Sequence, residues 1–488
     1  MAREEETRLQ AMGSIPRLTL VPDSPRSVET KAASREGRQE ERSEKTSEMQ
    51  ETVSSVSVAA KQETDIRARW AWVEASIWTD RMLAALEDGV TGGKWFSLMD
   101  KVYAPTTLLS AWRQVARNKG SHGMDGMSIA RFSGRERQYL EELCWALKRG
   151  EYQPEAVKRV YIRKHGGERR PLGIPTVKDR VVQTALKKAI EPIFEREFAP
   201  SSYGFRPGRG TKDALREVEA LLKSGQVWVV DADLKSYFDT IPHDKLMALV
   251  ESRISDGKVL KLIGGYLKQD ILEELKTWKP TAGTPQGAVL SPLFANLYLH
   301  SLDVEMRAAG YAMVRYADDF VVLCEAEVEA VNALNRVQEW VKANGLSLHP
   351  EKTHVGNCSV EGQGFDFLGY RFEGGKRYVR KKSLAALKDK LRVRTKRTRG
   401  DSINRIIEEL NPILKGWFNY FKHAHPPVFA ALDSFLRRRL RSILCKQNKL
   451  SYFHHRSKDI HQRWKNAYFA ELGLFTLKAA WAQARQSR

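Results

Sequence analysis

Two adjacent acids, Asp318 and Asp319, interrupt an apolar run that begins at Met313 and ends at Leu323. The β-branched and aromatic residues on both sides predict a buried β-hairpin that carries the acids at its turn. An isolated Asp pair between strands is usually turn chemistry alone. Burying two carboxylates is costly unless a cation compensates their charge, and a divalent metal ion is the usual compensator for adjacent Asp side chains.

A second pair of acids lies upstream. Residues 227–234 alternate like a β-strand and place Asp231 and Asp233 on one face. Asp233, Asp318 and Asp319 would then be three carboxylates on neighbouring strand ends. Such a set can hold two Mg²⁺ ions, which activate a 3′-hydroxyl and stabilise the leaving pyrophosphate in phosphoryl transfer. These three acids are the candidate catalytic and metal-binding residues. The supporting acids, either of which could bind metal directly, are Asp231 and Asp239.

The order and spacing of three motifs resemble those of reverse transcriptases. Asp233 is followed five residues later by Phe238, then by Gly-Thr-Pro-Gln-Gly at 283–287 and Tyr-Ala-Asp-Asp at 316–319. In detail, the sequence resembles the family of group II intron-encoded reverse transcriptases and maturases. The other segments that match motifs of this family, the last of them its maturase signature, are 174–180, 203–210, 348–353, 367–370 and 410–421.

The resemblance implies an α+β fold of the right-hand polymerase type, with fingers, a palm built on an antiparallel sheet, a helical thumb and a helical N-terminal extension. The expected segments are a disordered N-terminal tail (1–65), a helical extension that contacts template RNA (66–135), fingers and palm (136–375), a thumb or maturase (X) domain (376–445) and a C-terminal DNA-binding region (446–488). Prolines predict breaks in the C-terminal helices near Pro412 and at 426–427. No HNH endonuclease motif follows Cys445, which resembles the endonuclease-lacking group IIC branch.

Residues 164–174 predict a hairpin whose glycines form the turn and whose strands carry basic residues. The resemblance implies that Lys164 and Arg170 contact the triphosphate of an incoming deoxynucleotide. Arg can bind phosphate through two parallel hydrogen bonds. A solvated hairpin tip would show the same pattern, so both interpretations stay open.

The resemblance implies four more substrate-binding residues. Phe238 would lie beneath the sugar and exclude a ribose 2′-hydroxyl, with an ordinary core Phe as the alternative. Gln286 and Gly287 lie at a predicted loop-to-helix junction, where glycine allows the backbone to approach the nucleotide or the template. Lys352 is either a cation near the leaving phosphates or a surface lysine.

Positive charge is concentrated at the C-terminal end of the chain. Residues 376–488 hold 28 Lys and Arg against 7 Asp and Glu, and this net of +21 equals the net charge of the whole chain. Segregation on this scale is typical of a surface that binds a phosphate backbone. The candidate nucleic-acid-binding residues are Lys376, Arg377, Arg380, Lys381, Lys382, Arg437, Arg438 and Arg439. Trp417, Tyr420 and Phe421 recur at helical spacing, which favours core packing over base stacking.

The resemblance implies an RNA-directed DNA polymerase with a two-metal Mg²⁺ site, which copies an RNA template from a DNA primer with deoxynucleoside triphosphates. It also implies binding of group II intron RNA to assist splicing, and mobility into target DNA by target-primed reverse transcription. Three alternatives are a splicing-only maturase, an RNA-dependent RNA polymerase and a retron or CRISPR-associated reverse transcriptase. The complete acid triad disfavours the splicing-only maturase, and Phe238 disfavours the RNA-dependent RNA polymerase. Residues 410–421 disfavour both the RNA-dependent RNA polymerase and the retron or CRISPR-associated enzyme.

Composition predicts a cytoplasmic, nucleic-acid-associated protein. Residues 1–65 are rich in Glu, Ser, Arg and Thr without sustained periodicity, which is typical of a disordered tail rather than a signal or transit peptide. No apolar run is long enough to span a membrane, so no membrane partner is expected. The four cysteines are isolated from one another, which argues against a disulfide framework and against a zinc site.

Overall fold

The computed structural model describes residues 66–486, apart from 91, 164–168, 274–275 and 451–457. The tail predicted over 1–65 and the candidate residue Lys164 lie outside these ranges. None of the described helices combines the length and the apolar character needed to cross a membrane.

Helices dominate the first described segment, which is rich in tryptophan. They are α1 (Asp80–Asp88), α2 (Met99–Tyr103), α3 (Pro105–Asn118), α4 (Ile129–Ser133) and α5 (Glu136–Arg149). The side chain of Thr79 caps α1 by accepting from the backbone N–H of Met82, and Gly150 ends α5 in the left-handed conformation. Trp78 and Trp112 are buried in a first hydrophobic core that continues into the strands and helices that follow.

Strands and helices alternate through the middle of the chain. In order they are β1 (Val157–Arg163), β2 (Arg169–Ile174), α6 (Val177–Glu195), α7 (Thr211–Lys223), β3 (Trp228–Asp233), α8 (Tyr237–Thr240), α9 (His243–Glu251), α10 (Gly257–Leu267), β4 (Ile271–Glu273), β5 (Lys276–Trp278), α11 (Ser291–Ala308), β6 (Ala312–Tyr316), β7 (Asp319–Cys324), α12 (Glu327–Ala343) and β8 (His354–Asn357). One sheet has the strand order β2-β1-β4-β5, and its antiparallel β1–β2 pair agrees with the predicted hairpin, whose glycine turn lies outside the described residues.

The second sheet has the order β6-β7-β3-β8 and is antiparallel throughout. Its strands are rich in β-branched residues, which fit a pleated surface that is covered on both sides. Val230 and Val322 face the first core, whereas Val229 and Val321 face a second core shared with α7 and the C-terminal helices. Because both faces are covered apart from the strand ends, the acids at those ends lie where the sheet can meet a substrate.

The C-terminal part begins with a three-stranded antiparallel sheet and continues as helices. The elements are β9 (Phe365–Phe367), β10 (Tyr370–Glu373), β11 (Lys376–Val379), α13 (Lys381–Arg394), α14 (Ile403–Phe421), α15 (Pro427–Gln447), α16 (Lys458–Arg463), α17 (Asn466–Glu471) and α18 (Leu477–Gln486). Phe421 is buried in the second core and Trp417 and Tyr420 pack against it, so the core interpretation of these aromatics is confirmed.

The break predicted at Pro412 is wrong, because α14 runs through this residue. A proline inside a helix costs about 3 kcal/mol. Leu410 and Leu414, one on each side of Pro412, are fully buried in the second core, and the Asn411 side chain bonds to the backbone of Gly473 at 2.9 Å. This packing outweighs the lost backbone hydrogen bond. The prolines at 426–427 do separate two helices, since Pro427 begins α15.

Candidate active site

The hairpin formed by β6 and β7 carries two acids at its turn, as predicted. Tyr316 pairs with Asp319, so Ala317 and Asp318 form a two-residue turn. Ala317 has a φ of 61°, the positive value that such a turn requires at its first central residue. For a residue with a Cβ this conformation costs roughly 1 kcal/mol, which the surroundings must offset.

Asp233 and Asp319 lie directly opposite each other on β3 and β7. Side chains opposite each other in an antiparallel pair point to the same face, with Cβ atoms roughly 5 Å apart. Asp231 lies on that same face of β3, two residues before Asp233. Asp318 lies next to Asp319, in the turn. The structure therefore brings together the three acids that the sequence singled out, with Asp231 beside them.

Burial and repulsion by neighbouring carboxylates raise the pKa values of Asp231, Asp318 and Asp319. Burial, reinforced by the charges of Asp231 and the two other acids, raises the pKa of Asp319 to about 7. Burial, together with Asp366 and Asp233, raises the pKa of Asp231 to about 7. Burial also raises the pKa of Asp318, against the lowering effect of its own backbone hydrogen bond and of Arg170. A dication at this edge of the sheet would favour the charged form of every one of these groups.

Two cations already contact this acid cluster. The Lys352 Nζ lies 2.7 Å from Asp233 Oδ2, although both side chains are largely solvent-accessible. The Arg380 Nε lies 2.7 Å from Asp366 Oδ2, and the charge of Arg380 lowers the pKa of Asp231. Lys352 therefore lies at the face that carries the candidate metal ligands, and its sequence-based assignment to the leaving phosphates stays a prediction.

The loop at 283–287 packs against the segment that follows β3. The backbone N–H of Thr284 donates to the carbonyl of Phe238 at 2.7 Å, and a Cβ on Gly283 would lie 2.8 Å from the backbone of Asp239. Glycine is required at 283 for a second reason, since its φ is 89°. This packing places the Gly-Thr-Pro-Gln-Gly motif beside the acid-bearing strand.

Arg170 and Gln286 meet at the mouth of the site. The Arg170 Nε donates to Gln286 Oε1 at 2.8 Å, and Gln286 Nε2 lies 3.5 Å from Asp239 Oδ2. Gly287 lies against β2, where a Cβ would be 2.6 Å from the carbonyl oxygen of Gly173. The structure thus connects the basic hairpin to the palm through two of the candidate substrate-binding residues.

Phe238 lies in α8, five residues after Asp233, and is buried in the first core. Its side chain is 7% exposed and packs edge-to-face on Tyr237 with ring centroids 5.5 Å apart. The Tyr237 hydroxyl donates to the carbonyl of Ala295 at 2.7 Å, which fixes this aromatic pair on α11. The position is compatible with both interpretations, the sugar gate and the core residue.

Sequence reasoning missed Arg315, which is buried two residues before the acid-bearing turn. Its guanidinium forms an ion pair with Asp303 in which both side chains are fully buried, and it donates to the carbonyl of Ala317 at 2.9 Å. The available signal was a single cation inside the apolar run between Val314 and Tyr316. A charge at an interior position of a buried strand requires a specific partner.

The acid cluster fits a divalent metal in its donor chemistry. Carboxylate oxygens are the ligands that Mg²⁺ prefers, and burial, with neighbouring carboxylates, raises the pKa values of Asp318 and Asp319. Across the described ranges, no three His, Cys, Asp or Glu side chains are already arranged around a metal position. The ion pair between Lys352 and Asp233 directs one ligand toward an ammonium group instead.

The C-terminal basic residues divide into two groups. Arg377 contacts Glu219 at 3.2 Å, Arg380 contacts Asp366, and Arg439 donates to the carbonyl of Thr395 at 2.9 Å. These three side chains contact other parts of the protein. The exposed candidates are Lys376, Arg380, Lys381, Lys382 and Arg438, of which Arg380 also forms an ion pair with Asp366, and Arg437 is half-buried.

Two family descriptions match this chain. "Reverse transcriptase (RNA-dependent DNA polymerase)" matches residues 162–372, and "Group II intron, maturase-specific domain" matches residues 384–471. The fold and the site therefore define an RNA-directed DNA polymerase of the reverse transcriptase class, and the α+β right-hand fold is confirmed. Reverse transcriptase domains generally use divalent metal ions.

Curated relatives extend the match. The protein YkfC of Escherichia coli K12 is 34% identical over 315 residues, which cover 56% of this chain and 82% of YkfC. The group II intron-encoded protein LtrA of Lactococcus lactis subsp. cremoris is 38% identical over 200 residues, which cover 41% of this chain and 33% of LtrA. A telomerase structure from Candida albicans aligns with 67% of this chain and 68% of its own, at 12% identity and a TM-score of 0.36.

The chain belongs to the family of group II intron reverse transcriptases and maturases. The reverse transcriptase match favours this assignment over the splicing-only alternative, and the maturase-specific match favours it over the retron or CRISPR-associated alternative. The matches define the family without specifying its IIC branch, so that expectation stays a prediction.

Proposed function

We propose that this protein copies an RNA template into DNA at the palm edge, with Asp233, Asp318 and Asp319 as the ligands of two Mg²⁺ ions. The observation that carries the proposal is the convergence of these acids at one end of the palm sheet, with Arg170 near enough to lower the pKa of Asp318. The bound ions supply charge neutralisation for attack by a primer 3′-hydroxyl on the nucleotide phosphate.

The chain's own residues bind and orient the nucleotide. Arg170 reaches the triphosphate from the fingers with a guanidinium that can hold two phosphate oxygens. Gln286 and Gly287 form the wall on which the base pair rests, and Phe238 closes the pocket beneath the sugar. Lys352, which forms an ion pair with Asp233, would contact the leaving phosphates.

The proposed partners are a group II intron RNA, an RNA template annealed to a DNA primer, and target DNA. The surplus of positive charge beyond residue 375 supports binding of long phosphate backbones. In this proposal residues 66–135 contact template RNA, 136–375 form fingers and palm, 376–445 form the maturase thumb and 446–488 contact target DNA. Intron RNA binding assists splicing, and target-primed synthesis moves the intron.

A direct test uses the full-length protein and the RNA that copurifies with it. Wild-type protein should extend a DNA primer on an RNA template with deoxynucleoside triphosphates and Mg²⁺, and the copurifying RNA should contain its own intron. Asp318→Asn should lose extension while it retains that RNA, because the metal site is separate from the basic surface. Extension that persists in Asp318→Asn, or a wild-type protein with no extension, would contradict the proposal.

A further inference from the structure

Arg315 is a fully buried cation in β6, two residues before the catalytic turn. Its side chain is 0% exposed, and so is that of its partner Asp303 on α11. A guanidinium without water persists only if its hydrogen bonds are satisfied within the protein. The contacts of Arg315 therefore show what this residue is placed to hold.

All five N–H groups of the Arg315 guanidinium have acceptors. The Nε donates to one carboxylate oxygen of Asp303 at 2.7 Å, and one Nη2 hydrogen bonds to the other. The second Nη2 hydrogen bonds to the hydroxyl of Ser202 at 2.8 Å. The Nη1 hydrogens bond to the side-chain oxygen of Asn296 and to the carbonyl of Ala317, both at 2.9 Å.

The bond to the Ala317 carbonyl acts directly on the catalytic turn. This carbonyl belongs to the planar peptide that links Ala317 to Asp318, so its direction fixes the orientation of that peptide. Ala317 has a φ of 61°, a conformation that residues with a Cβ rarely adopt. Arg315 therefore holds the one peptide on which the direction of the Asp318 side chain depends.

Residues 201–204 pack against the same turn and bond to the same arginine. The backbone of Arg315 bonds to the Ser201 carbonyl at 2.9 Å and to the Tyr203 N–H at 2.8 Å. A Cβ on Gly204 would lie 2.3 Å from the backbone nitrogen of Ala317. Asn296 connects this segment to Arg315, since its side chain donates to the Gly204 carbonyl at 2.7 Å and accepts from Arg315.

We infer that Arg315 is a positioning residue for metal binding by the catalytic acids. Held by Asp303, its guanidinium fixes the Ala317–Asp318 peptide and so the approach of Asp318 to the metal position beside Asp233. The inference rests on the proposed function, because it concerns the same site. A buried ion pair that served folding alone would have no bond to the turn and no influence on metal affinity.

The decisive variant removes both charges of the ion pair at once. Arg315→Met combined with Asp303→Leu leaves no unpaired charge in the core, and such replacements are often neutral for stability. The double variant lacks the donor to Ala317. Arg315→Lys is the second variant, because it keeps the charge opposite Asp303 but cannot supply five donors. The control is Asp256→Asn, whose buried carboxylate bonds to the backbone of Leu98 and Met99, far along the chain from the turn.

Two readouts separate positioning from folding. The first is Mn²⁺ affinity, measured by electron paramagnetic resonance on the protein–primer–template complex without nucleotide. The second is single-turnover primer extension, with thermal unfolding recorded for every variant. We expect the double variant to bind Mn²⁺ about tenfold to a hundredfold more weakly and to extend about a hundredfold more slowly. Arg315→Lys should fall between it and wild type, and Asp256→Asn should change unfolding alone.

Unchanged Mn²⁺ affinity in a folded double variant, or in Arg315→Lys if the double variant does not fold, would overturn the inference. Losses in Asp256→Asn that match those of the Arg315 variants would also overturn it, since they would follow from lost stability. Wild-type protein that binds Mn²⁺ and makes no DNA would contradict the proposed function, and the Mn²⁺ comparison would still decide the role of Arg315.

Discussion

Lys352 and Asp233 form an ion pair across 119 residues of sequence, with Nζ and Oδ2 2.7 Å apart. Asp233 ends the strand that faces the catalytic turn, so the ammonium group lies where a metal ion would bind. Two positive groups cannot share this carboxylate face without repulsion. Binding of a divalent ion should therefore displace Lys352 and free it for the phosphates of the substrate.

Replacing Lys352 by Met should separate its pairing with Asp233 from its contact with the substrate phosphates. The half-maximal Mg²⁺ concentration for extension should fall because the ammonium no longer competes for Asp233, while the KM for deoxynucleotide rises. The unfolding midpoint should hardly change, since an exposed ion pair contributes at most about 1 kcal/mol. Mg²⁺ and nucleotide titrations of initial rates check this. Parallel increases in both constants would show that Lys352 supports the metal site rather than competing with it.

Phe238→Leu should raise incorporation of ribonucleotides relative to deoxynucleotides. A smaller side chain opens space for a 2′-hydroxyl, and discrimination of this kind is worth about tenfold to a hundredfold. Leucine is preferable to alanine because Phe238 is buried, and truncation to alanine would cost about 3–5 kcal/mol. Competition between the two nucleotides on one template measures the ratio. An unchanged ratio would leave Phe238 as a core residue.

Neutralising Lys376, Lys381 and Lys382 to Gln should weaken binding of intron RNA and make its salt dependence shallower. These side chains are exposed, whereas Arg377 and Arg380 are engaged by Glu219 and Asp366. Loss of three phosphate contacts should reduce the slope of log affinity against log salt by about 2 to 3. Extension of a short annealed primer should persist at low salt.

The matched control for this triple variant neutralises three exposed lysines of the part of the chain that carries no net charge. They are Lys261, Lys268 and Lys342. An equal change of slope in control and triple variant would mean that RNA affinity follows total charge and does not depend on this surface.

The free energy of unfolding should decrease as the pH rises from 4 to 6, because of the Asp179 carboxyl. This buried carboxyl accepts from the hydroxyls of Tyr152 at 2.7 Å and Thr176 at 2.8 Å, and burial raises its pKa to about 6. The folded state then binds more protons than the unfolded chain in this window, so raising the pH favours unfolding, by at most about 3 kcal/mol. This contribution levels off about one pH unit above the folded-state pKa, near pH 7.

Urea unfolding of wild type and Asp179→Asn at pH 4.5, 5.5 and 6.5 measures this effect. The free energy of unfolding of wild type relative to the variant should decrease as the pH rises. A difference that stays constant with pH would remove Asp179 as the cause.

Local pattern was sufficient to predict the strands that carry the candidate catalytic acids. The alternation at 227–234 and the apolar run around Asp318 gave β3 and the β6–β7 hairpin with the acids at their ends. Patterns of this kind depend on residues close in sequence, whereas the partners of Arg315 do not. Asp303 lies on a helix and Ser202 in a loop 113 residues away, so neither could be identified before the chain was folded.

The misprediction at Pro412 has a related cause. Local preference favoured a break, but contacts with Gly473 and the second core, which are distant in sequence, hold α14 continuous. Sequence patterns predict elements well where local preference and packing agree, and they fail where distant packing opposes local preference.

The central claim is that Asp233, rather than Asp231, completes the metal site with the two acids of the turn. Single-turnover extension by Asp233→Asn and Asp231→Asn, each compared with wild type at saturating primer–template and Mg²⁺, tests it most directly. We expect Asp233→Asn to lose extension entirely and Asp231→Asn to retain a measurable rate, with intron RNA affinity unchanged in both. Substantial extension by Asp233→Asn together with loss in Asp231→Asn would contradict the account and move the metal site to Asp231.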